Sequence, residues 1–133
     1  MTARTTHVAI LDDDHAVRNA LSRLLRLADM LVTSYATASE FFDSLVVKIP
    51  DCLLLDLQMR ETTGLDVLRT LKLQQVAIPT IIITAHDGEN SRLACLEAGA
   101  IGYMGKPVDT DRLIQMIVKV CGAGRPAHRA PRD

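Results

Sequence analysis

The sequence predicts an α/β domain built on a doubly wound, parallel sheet of five strands. Short apolar runs alternate with amphipathic helical patterns five times along the chain. The runs are apolar throughout, which is typical of parallel strands covered by helices on both faces. A length of 133 residues with 48% hydrophobic residues suits one compact domain, and a formal net charge of −1 gives no overall attraction to nucleic acid or membrane surfaces.

The five predicted strands are short, and each is followed by a turn or helix signal. The run TIIIT has the highest β-propensity in the chain, and Pro79 stands directly before it. The first run, VAIL, ends in three consecutive acids at positions 12–14. The predicted strands are residues 8–11, 31–35, 52–55, 80–84 and 101–104.

The helices are predicted from apolar residues that recur every three and four positions. Asp14 is placed to cap the first helix, and residues 37–40 have the form of a capping box for the second. Gly99 is placed to end the fourth. The predicted helices pass through residues 16–28, 41–46, 65–71, 93–96 and 109–120.

The domain is predicted to cover residues 1–121. The segment 122–133, GAGRPAHRAPRD, lacks apolar residues for packing, so we expect a flexible linker or disordered tail, with phosphate binding by its arginines as the alternative. The three cysteines, Cys52, Cys95 and Cys121, lack metal-ligand spacing. They are expected to be buried and reduced in a cytoplasmic protein, and no run approaches the ~18 apolar residues of a membrane span.

Polar side chains follow four of the predicted strands. Asp12 and Asp13 follow the first, Asp56 the third, Thr84 ends the fourth, and Lys106 follows the fifth. Right-handed crossovers bring the carboxyl ends of parallel strands to one edge, where ligands bind. Three carboxylates there need a counter-charge beyond one lysine, and hard oxygen ligands suit Mg²⁺. The alternative is that the acids merely begin a solvated helix, as we expect of Asp14.

The same edge argues against other uses of this fold class. A nucleotide or flavin phosphate needs a glycine-rich or hydroxyl-rich turn after the first strand, and neither GxGxxG nor GxxxxGK[ST] occurs. Phosphatases with an aspartyl nucleophile commonly carry a second acid two residues on, where this chain has Gln58. A flavin carrier therefore remains only a minor alternative.

These residues together resemble the receiver domain of bacterial two-component response regulators. The resemblance spans about residues 7–121. It rests on the acid pair 12–13, Asp56 in LLLDLQM, Gly64, the Thr-Ala pair of IITAHD, and Lys106-Pro107. The resemblance implies a flavodoxin-like fold with strand order 2-1-3-4-5.

The resemblance also implies a role for each matching residue. Asp56 is the expected phospho-acceptor, attacking a phosphohistidine on a sensor histidine kinase. Mg²⁺, for which Mn²⁺ or Ca²⁺ can substitute, is expected on the side chains of Asp13 and Asp56 and the backbone carbonyl of Gln58. Asp12 is expected to act mainly through water and by orienting Lys106.

A conformational switch is implied by the residues that follow the last two strands. Thr84, Ala85 and Lys106 are expected at the phosphoryl group, and Pro107 is a candidate cis-proline. Thr84 would move towards a phosphoryl oxygen and let Tyr103 turn inward, which changes the face of the fourth helix, fifth strand and fifth helix. The alternatives are that Lys106 is an ordinary surface lysine and that Tyr103 is a strand residue half-packed at the surface.

Three positions depart from the family pattern or lie where the family varies. Arg60 stands four residues after the acceptor, where the family usually has proline. It either aids phosphate binding or faces water. Gln58 and His86 lie where receivers differ in hydrolysis rate, and His86 either aligns a water or hinders one.

The sequence thus predicts a signalling switch rather than a metabolic enzyme. Ile114 and Val118 fall off the apolar face of the last helix, which fits a phosphorylation-dependent homodimer or a kinase contact, with scattered exposed aliphatics as the alternative. DNA contact is expected only through an output domain absent from this sequence, and no membrane contact is expected. A degenerate receiver that binds partners without phosphorylation is the second hypothesis.

Overall fold

A computed structural model describes residues 5–86 and 88–121, so the predicted tail at 122–133 lies outside the described residues. Five strands and five helices alternate along this part of the chain. The elements are β1 (His7–Leu11), α1 (His15–Leu27), β2 (Leu31–Tyr35), α2 (Ala38–Ser44), β3 (Cys52–Asp56), α3 (Gly64–Leu73), β4 (Thr80–Thr84), α4 (Glu89–Glu97), β5 (Gly102–Gly105) and α5 (Thr110–Cys121).

The five strands form one parallel sheet in the order β2-β1-β3-β4-β5. This confirms the predicted fold class and strand order. β1, β3 and β4 are buried along their whole length. Because parallel strands need crossover connections, each helix between two strands carries the chain back to the edge where the next strand begins. The carboxyl ends of all five strands therefore meet at the opposite edge.

Successive side chains of each strand point to opposite faces of the sheet. On one face, Ile10 and Leu54 pack with residues of α1 and α5. On the other face, Leu11 and Leu55 pack with residues of α2, α3 and α4. Both faces of the sheet are therefore covered, which accounts for strands that are apolar at every position.

Side-chain caps and left-handed residues fix where the helices begin and end. Asp14 accepts hydrogen bonds from the first-turn backbone of α1, and Thr37 and Thr63 do so for α2 and α3. The chain leaves α4 at Gly99 with φ 113°, and leaves α3 at Gln75 with φ 60°. Glycine adopts this backbone region freely, whereas glutamine is strained in it.

Several boundaries differ from the predictions by a few residues. α2 ends at Ser44 and gives way to a turn, so Val46, which was predicted in the helix, is 88% exposed. β5 begins at Gly102 rather than at residue 101. Val118 is exposed as expected, but Ile114 was wrongly placed off the apolar face, because it is partly buried against the core.

All three cysteines are buried and form no disulfide, as predicted. They belong to the apolar core clusters on the two faces of the sheet. Across residues 5–86 and 88–121, no helix has both the length and the apolar composition that a membrane crossing requires.

Candidate functional site

Strand register brings the predicted polar residues to one edge of the sheet. Leu11 of β1 is the register partner of Leu55 of β3, so Asp12 and Asp56 are the next residues on neighbouring strands. Thr84 of β4 lies opposite Gly105 of β5, and Lys106 follows immediately. No special turn is needed for this arrangement, because it follows from how the four strands pair.

Lys106 joins two of the three carboxylates. Its Nζ donates to Asp12 Oδ2 at 3.0 Å and to Asp56 Oδ1 at 3.4 Å. Asp12 and Asp56 are buried, and the Lys106 side chain is only 21% exposed. The Lys106–Pro107 peptide bond that follows is cis. The ammonium thus lies between two desolvated anions, where one charge cannot neutralise both.

Asp13 interacts with Arg60. Its Oδ2 accepts a hydrogen bond from the Arg60 backbone N–H at 2.9 Å, and Arg60 Nε lies 3.9 Å from the same oxygen. The sequence left open whether Arg60 would reach towards phosphate or face water. Its side chain is 87% exposed, yet both its backbone and its guanidinium face an acid of the site.

Burial and neighbouring charge perturb the ionisation of the site. Burial, and then the charge of Asp12, raise the pKa of Asp56 to about 6, against the lowering effect of Lys106 and a hydrogen bond from the Gln58 backbone. Burial alone lowers the pKa of Lys106, but hydrogen bonds and charges from Asp12 and Asp56 outweigh it and the pKa rises. Asp56 is therefore the acid of the site whose negative charge is poorly compensated.

The loop after β3 depends on Gly64. Its backbone N–H donates to the Leu57 carbonyl at 2.8 Å, which draws the start of α3 back against β3. A Cβ at Gly64 would lie 2.7 Å from the Asp56 carbonyl oxygen and 3.0 Å from Leu57 Cα. These are backbone atoms that cannot turn aside. Only glycine therefore allows the loop to pass this close to Asp56.

The remaining predicted residues lie around the same edge. Thr84 is fully buried, and its Oγ1 accepts a hydrogen bond from the His86 backbone N–H at 3.0 Å. Ala85 and the His86 side chain are exposed beside it, as is Gln58 on the opposite loop. Ala85, His86 and Gln58 are thus accessible to solvent around the edge, whereas Thr84 is not.

Tyr103 occupies the inward one of the two positions considered for it. It is only 8% exposed and packs in the core cluster beneath α3 and α4. It is therefore not half-packed at the surface, and the inward position expected after phosphorylation is already present in this structure.

Two supporting contacts were not found by sequence reasoning. Arg18 Nη1 donates to the Asp12 backbone carbonyl at 2.8 Å, and the Asp14 N–H donates to Asp12 Oδ1 at 2.9 Å. Together with Lys106, they hold both the backbone and the carboxylate of Asp12. The sequence feature that pointed to Arg18 was its position in the first turns of α1, close to Asp12. Periodicity, however, indicates only that Arg18 lies off the apolar face of the helix.

The carboxylates are close enough to share a cation. One ligand oxygen from each of Asp12, Asp13 and Asp56 lies within 4.8 Å of the others. An all-oxygen set suits a hard divalent ion such as Mg²⁺, and lacks the nitrogen or sulfur that zinc prefers. The residues present therefore fit the predicted metal in charge and ligand type.

Comparison with known proteins identifies the family. Residues 8–118 match the response regulator receiver domain. The chain belongs to this family. Receiver domains are signalling modules of two-component systems.

Individual relatives agree with this assignment. The receiver domain is 37% identical over 117 residues to the response regulator protein TodT of Pseudomonas putida strain F1, covering 88% of this chain and 52% of TodT. It is 34% identical over 108 residues to the DNA-binding transcriptional regulator NtrC of Klebsiella pneumoniae, covering 81% of this chain and 23% of NtrC. The chain thus spans about a quarter to a half of the length of these two relatives.

A solved receiver structure agrees in both sequence and fold. The receiver protein from Burkholderia phymatum is 37% identical, with a TM-score of 0.78 over 88% of this chain and 95% of that one. The sequence resemblance to receiver domains is therefore confirmed.

Proposed function

We propose that this receiver domain accepts a phosphoryl group on Asp56 from the phosphohistidine of a sensor histidine kinase, in a Mg²⁺-dependent reaction. The observation that carries the proposal is the environment of Asp56. It is a buried carboxylate at the carboxyl edge of the sheet, 3.4 Å from an ammonium and within 4.8 Å of two further acids.

The ionisation of Asp56 suits a nucleophile. With a pKa of about 6, roughly nine tenths of the molecules carry the reactive carboxylate at pH 7 even without a metal. A carboxylate oxygen of Asp56 forms the new bond to phosphorus while the bond to the histidine nitrogen of the kinase breaks. The product is an acyl phosphate, which water later hydrolyses.

The surrounding residues offset the charge of the transferred group. Asp12, Asp13 and Asp56 would hold Mg²⁺ with the Gln58 backbone carbonyl, and Mn²⁺ or Ca²⁺ would substitute. When bound, the ion supplies positive charge beside the phosphoryl oxygens. Lys106, already directed at Asp56, supplies a second cation. We propose that its partner Asp12 keeps it in place while the phosphoryl group arrives.

The phosphoryl signal is proposed to leave the site through Thr84. Its Oγ1 accepts from the His86 N–H, so the hydroxyl retains its own hydrogen to donate to a phosphoryl oxygen, beside Ala85. That movement would act on α4, whose buried contribution to the core is Cys95 alone among its residues Glu89–Glu97. α3 buries four residues. α2 also buries a single residue, Phe41, but α4 is the helix that follows Thr84 and β4 in the chain, and its few buried contacts favour its displacement.

Tyr103 is proposed to stabilise the switched state rather than to create it. Because it already lies inward in the core, phosphorylation would select the arrangement in which Thr84 and α4 have moved around it. The face formed by α4, β5 and α5 would then change. Tyr103→Ala should alter the phosphorylation-dependent output while leaving phosphorylation of Asp56 nearly unchanged, and equal output from mutant and wild type would reject the coupling.

The exposed loop residues are proposed to set how long the acyl phosphate lasts. His86 and Gln58 are exposed in the loops that follow β4 and β3, where they would align or obstruct an attacking water. Substitution of His86 should change the decay rate of the phosphorylated protein several-fold. An unaltered decay rate would limit the role of His86 to its backbone N–H.

The output is proposed to be control of transcription by an attached domain. The relative NtrC is named as a DNA-binding transcriptional regulator, and the FixJ protein of Bradyrhizobium diazoefficiens, 32% identical, as a transcriptional regulatory protein. DNA contact would belong to that domain, in the cytoplasm. Val118 on α5 and Leu93 on α4 are about half exposed, which supports a phosphorylation-dependent homodimer through this face.

The decisive experiment is intact mass after incubation with Mg²⁺ and acetyl phosphate. Wild type should gain the mass of one phosphoryl group, and Asp56→Asn should not. Asp14→Asn is the matched control, because it removes an acid from the same run while asparagine still caps α1. Chelation of the metal should abolish the gain. A folded wild-type protein that gains no mass would instead support the second hypothesis, a partner-binding module that works without phosphorylation.

A further inference from the structure

Asp13 has a different counter-charge from the other two acids of the site. Asp12 and Asp56 share Lys106, which is 21% exposed. Asp13 is paired with Arg60, whose side chain is 87% exposed. A cation held in the low-dielectric interior is difficult to displace, whereas an exposed guanidinium is readily replaced by another cation.

We propose that Arg60 is a positioning residue that sets the affinity of the site for divalent cations by competing with them for Asp13. This inference rests on the proposed metal site. The guanidinium and a metal ion would be stabilised by the same carboxylate and would repel each other. Arg60 therefore weakens metal binding by the work needed to move its charge away from Asp13.

The two contacts made by Arg60 have separate effects. The backbone N–H at 2.9 Å orients Asp13 Oδ2 without adding a net charge, so it keeps the carboxylate in place whether or not a cation is present. The guanidinium at 3.9 Å adds the competing charge. Because every residue except proline has the N–H, side-chain substitutions at position 60 change the charge and leave the orientation intact.

The structure gives the guanidinium room to leave Asp13. A cavity of about 230 Å³ lies between the segment that begins α2 and the loop after β3, and Asp13 and Arg60 both line it. Its other lining residues include the apolar Ala36 and Met59 and one further acid, Glu61, whose negative charge would favour a guanidinium that has left Asp13. Displacement thus moves an exposed side chain alone and leaves the core undisturbed, so the competition should be modest in size.

A charge series at position 60 tests this directly. The dissociation constant for Mg²⁺ would be measured by titration calorimetry on the full chain at low ionic strength. Arg60→Lys should bind Mg²⁺ as wild type does, Arg60→Ala about two- to five-fold more tightly, and Arg60→Glu more tightly still. The matched control is Arg69→Ala, which removes an equally positive, exposed side chain from α3.

Salt provides a second measurement that a purely structural role would not change. The advantage of Arg60→Ala over wild type should shrink towards unity near 1 M salt, where the screening length falls to about 3 Å. Equal affinities for wild type, Arg60→Ala and Arg60→Glu would overturn the competition. Weaker binding by Arg60→Ala would overturn it too, because the guanidinium would then be holding Asp13 for the metal. Absence of any Mg²⁺ binding by wild type would instead refute the metal site and with it the proposed function.

Discussion

Substitution of the proposed phospho-acceptor should stabilise the metal-free protein at neutral pH. Burial raises the pKa of Asp56 to about 6 from its ordinary value of 3.8. In the folded state the carboxyl therefore binds its proton more tightly than in the unfolded state. Between the two pKa values the folded protein holds more protons, so folding stability falls as pH rises through this window.

The size of the effect follows from the shift. A difference of about two pKa units corresponds to about 3 kcal/mol of lost stability once the pH is well above 6. At pH 4, just above the unfolded value, the loss is well under 1 kcal/mol by the same linkage. Asp56→Asn removes the buried charge and leaves Lys106 paired with Asp12 at 3.0 Å.

The assay is urea unfolding of wild type and Asp56→Asn in a chelating buffer, from pH 4 to pH 7. The stability of Asp56→Asn relative to wild type should rise by about 2 kcal/mol across this range, because the pKa of Asp56 already includes its interaction with Lys106. Lys106→Met is the informative control, since removing the ammonium should raise the pKa of Asp56 further and steepen the loss. A difference that is flat with pH, or a wild type that is the more stable at pH 7, would refute the reasoning.

Two further predictions concern the loops. Gly64→Ala places a Cβ 2.7 Å from the Asp56 carbonyl oxygen. We therefore expect about 2 kcal/mol of destabilisation and reduced phosphorylation in the acetyl phosphate assay. A fully active, fully stable variant would contradict the role given to this close approach. Gln75→Gly removes the backbone strain of a non-glycine residue with φ 60° after α3. It should raise the free energy of unfolding by about 0.5–1 kcal/mol without affecting phosphorylation. A loss of stability would show that the glutamine side chain makes an offsetting contact.

The fold and the acid cluster were predictable for the same physical reason. Strands that are apolar at every position need helices on both faces, and parallel pairing then places residues that follow equivalent strand positions side by side. Leu11 pairs with Leu55, so Asp12 had to lie beside Asp56. The alternation of apolar runs and helical patterns predicted the shared edge, and the resemblance to receiver domains supplied the strand order that makes β1 and β3 neighbours.

The contacts of Arg18 and Arg60 were not predictable in the same way. Arg60 meets Asp13 across 47 residues of sequence, through a loop whose conformation depends on the approach of Gly64 to β3. The position of Tyr103 was likewise missed, because an aromatic side chain on a strand next to α4 can pack inward or lie at the surface without any change of pattern. Hydrophobic periodicity determines which face a residue occupies, but side-chain conformation and loop contacts depend on three-dimensional packing.

The charge balance of the site relates the buried contacts of Lys106 to the exposed contact of Arg60. Three carboxylates and the Lys106 ammonium give −3 + 1 = −2, the charge that one divalent cation neutralises. Without the metal, the cost falls on Asp56 as a raised pKa, because it is buried and shares its ammonium with Asp12. Asp13 has the exposed guanidinium of Arg60 as a counter-charge, with Nε 3.9 Å from its Oδ2. In the proposed metal site, the same charge imbalance would favour a doubly charged ion, and Arg60 would lower the electrostatic cost of leaving the site without one.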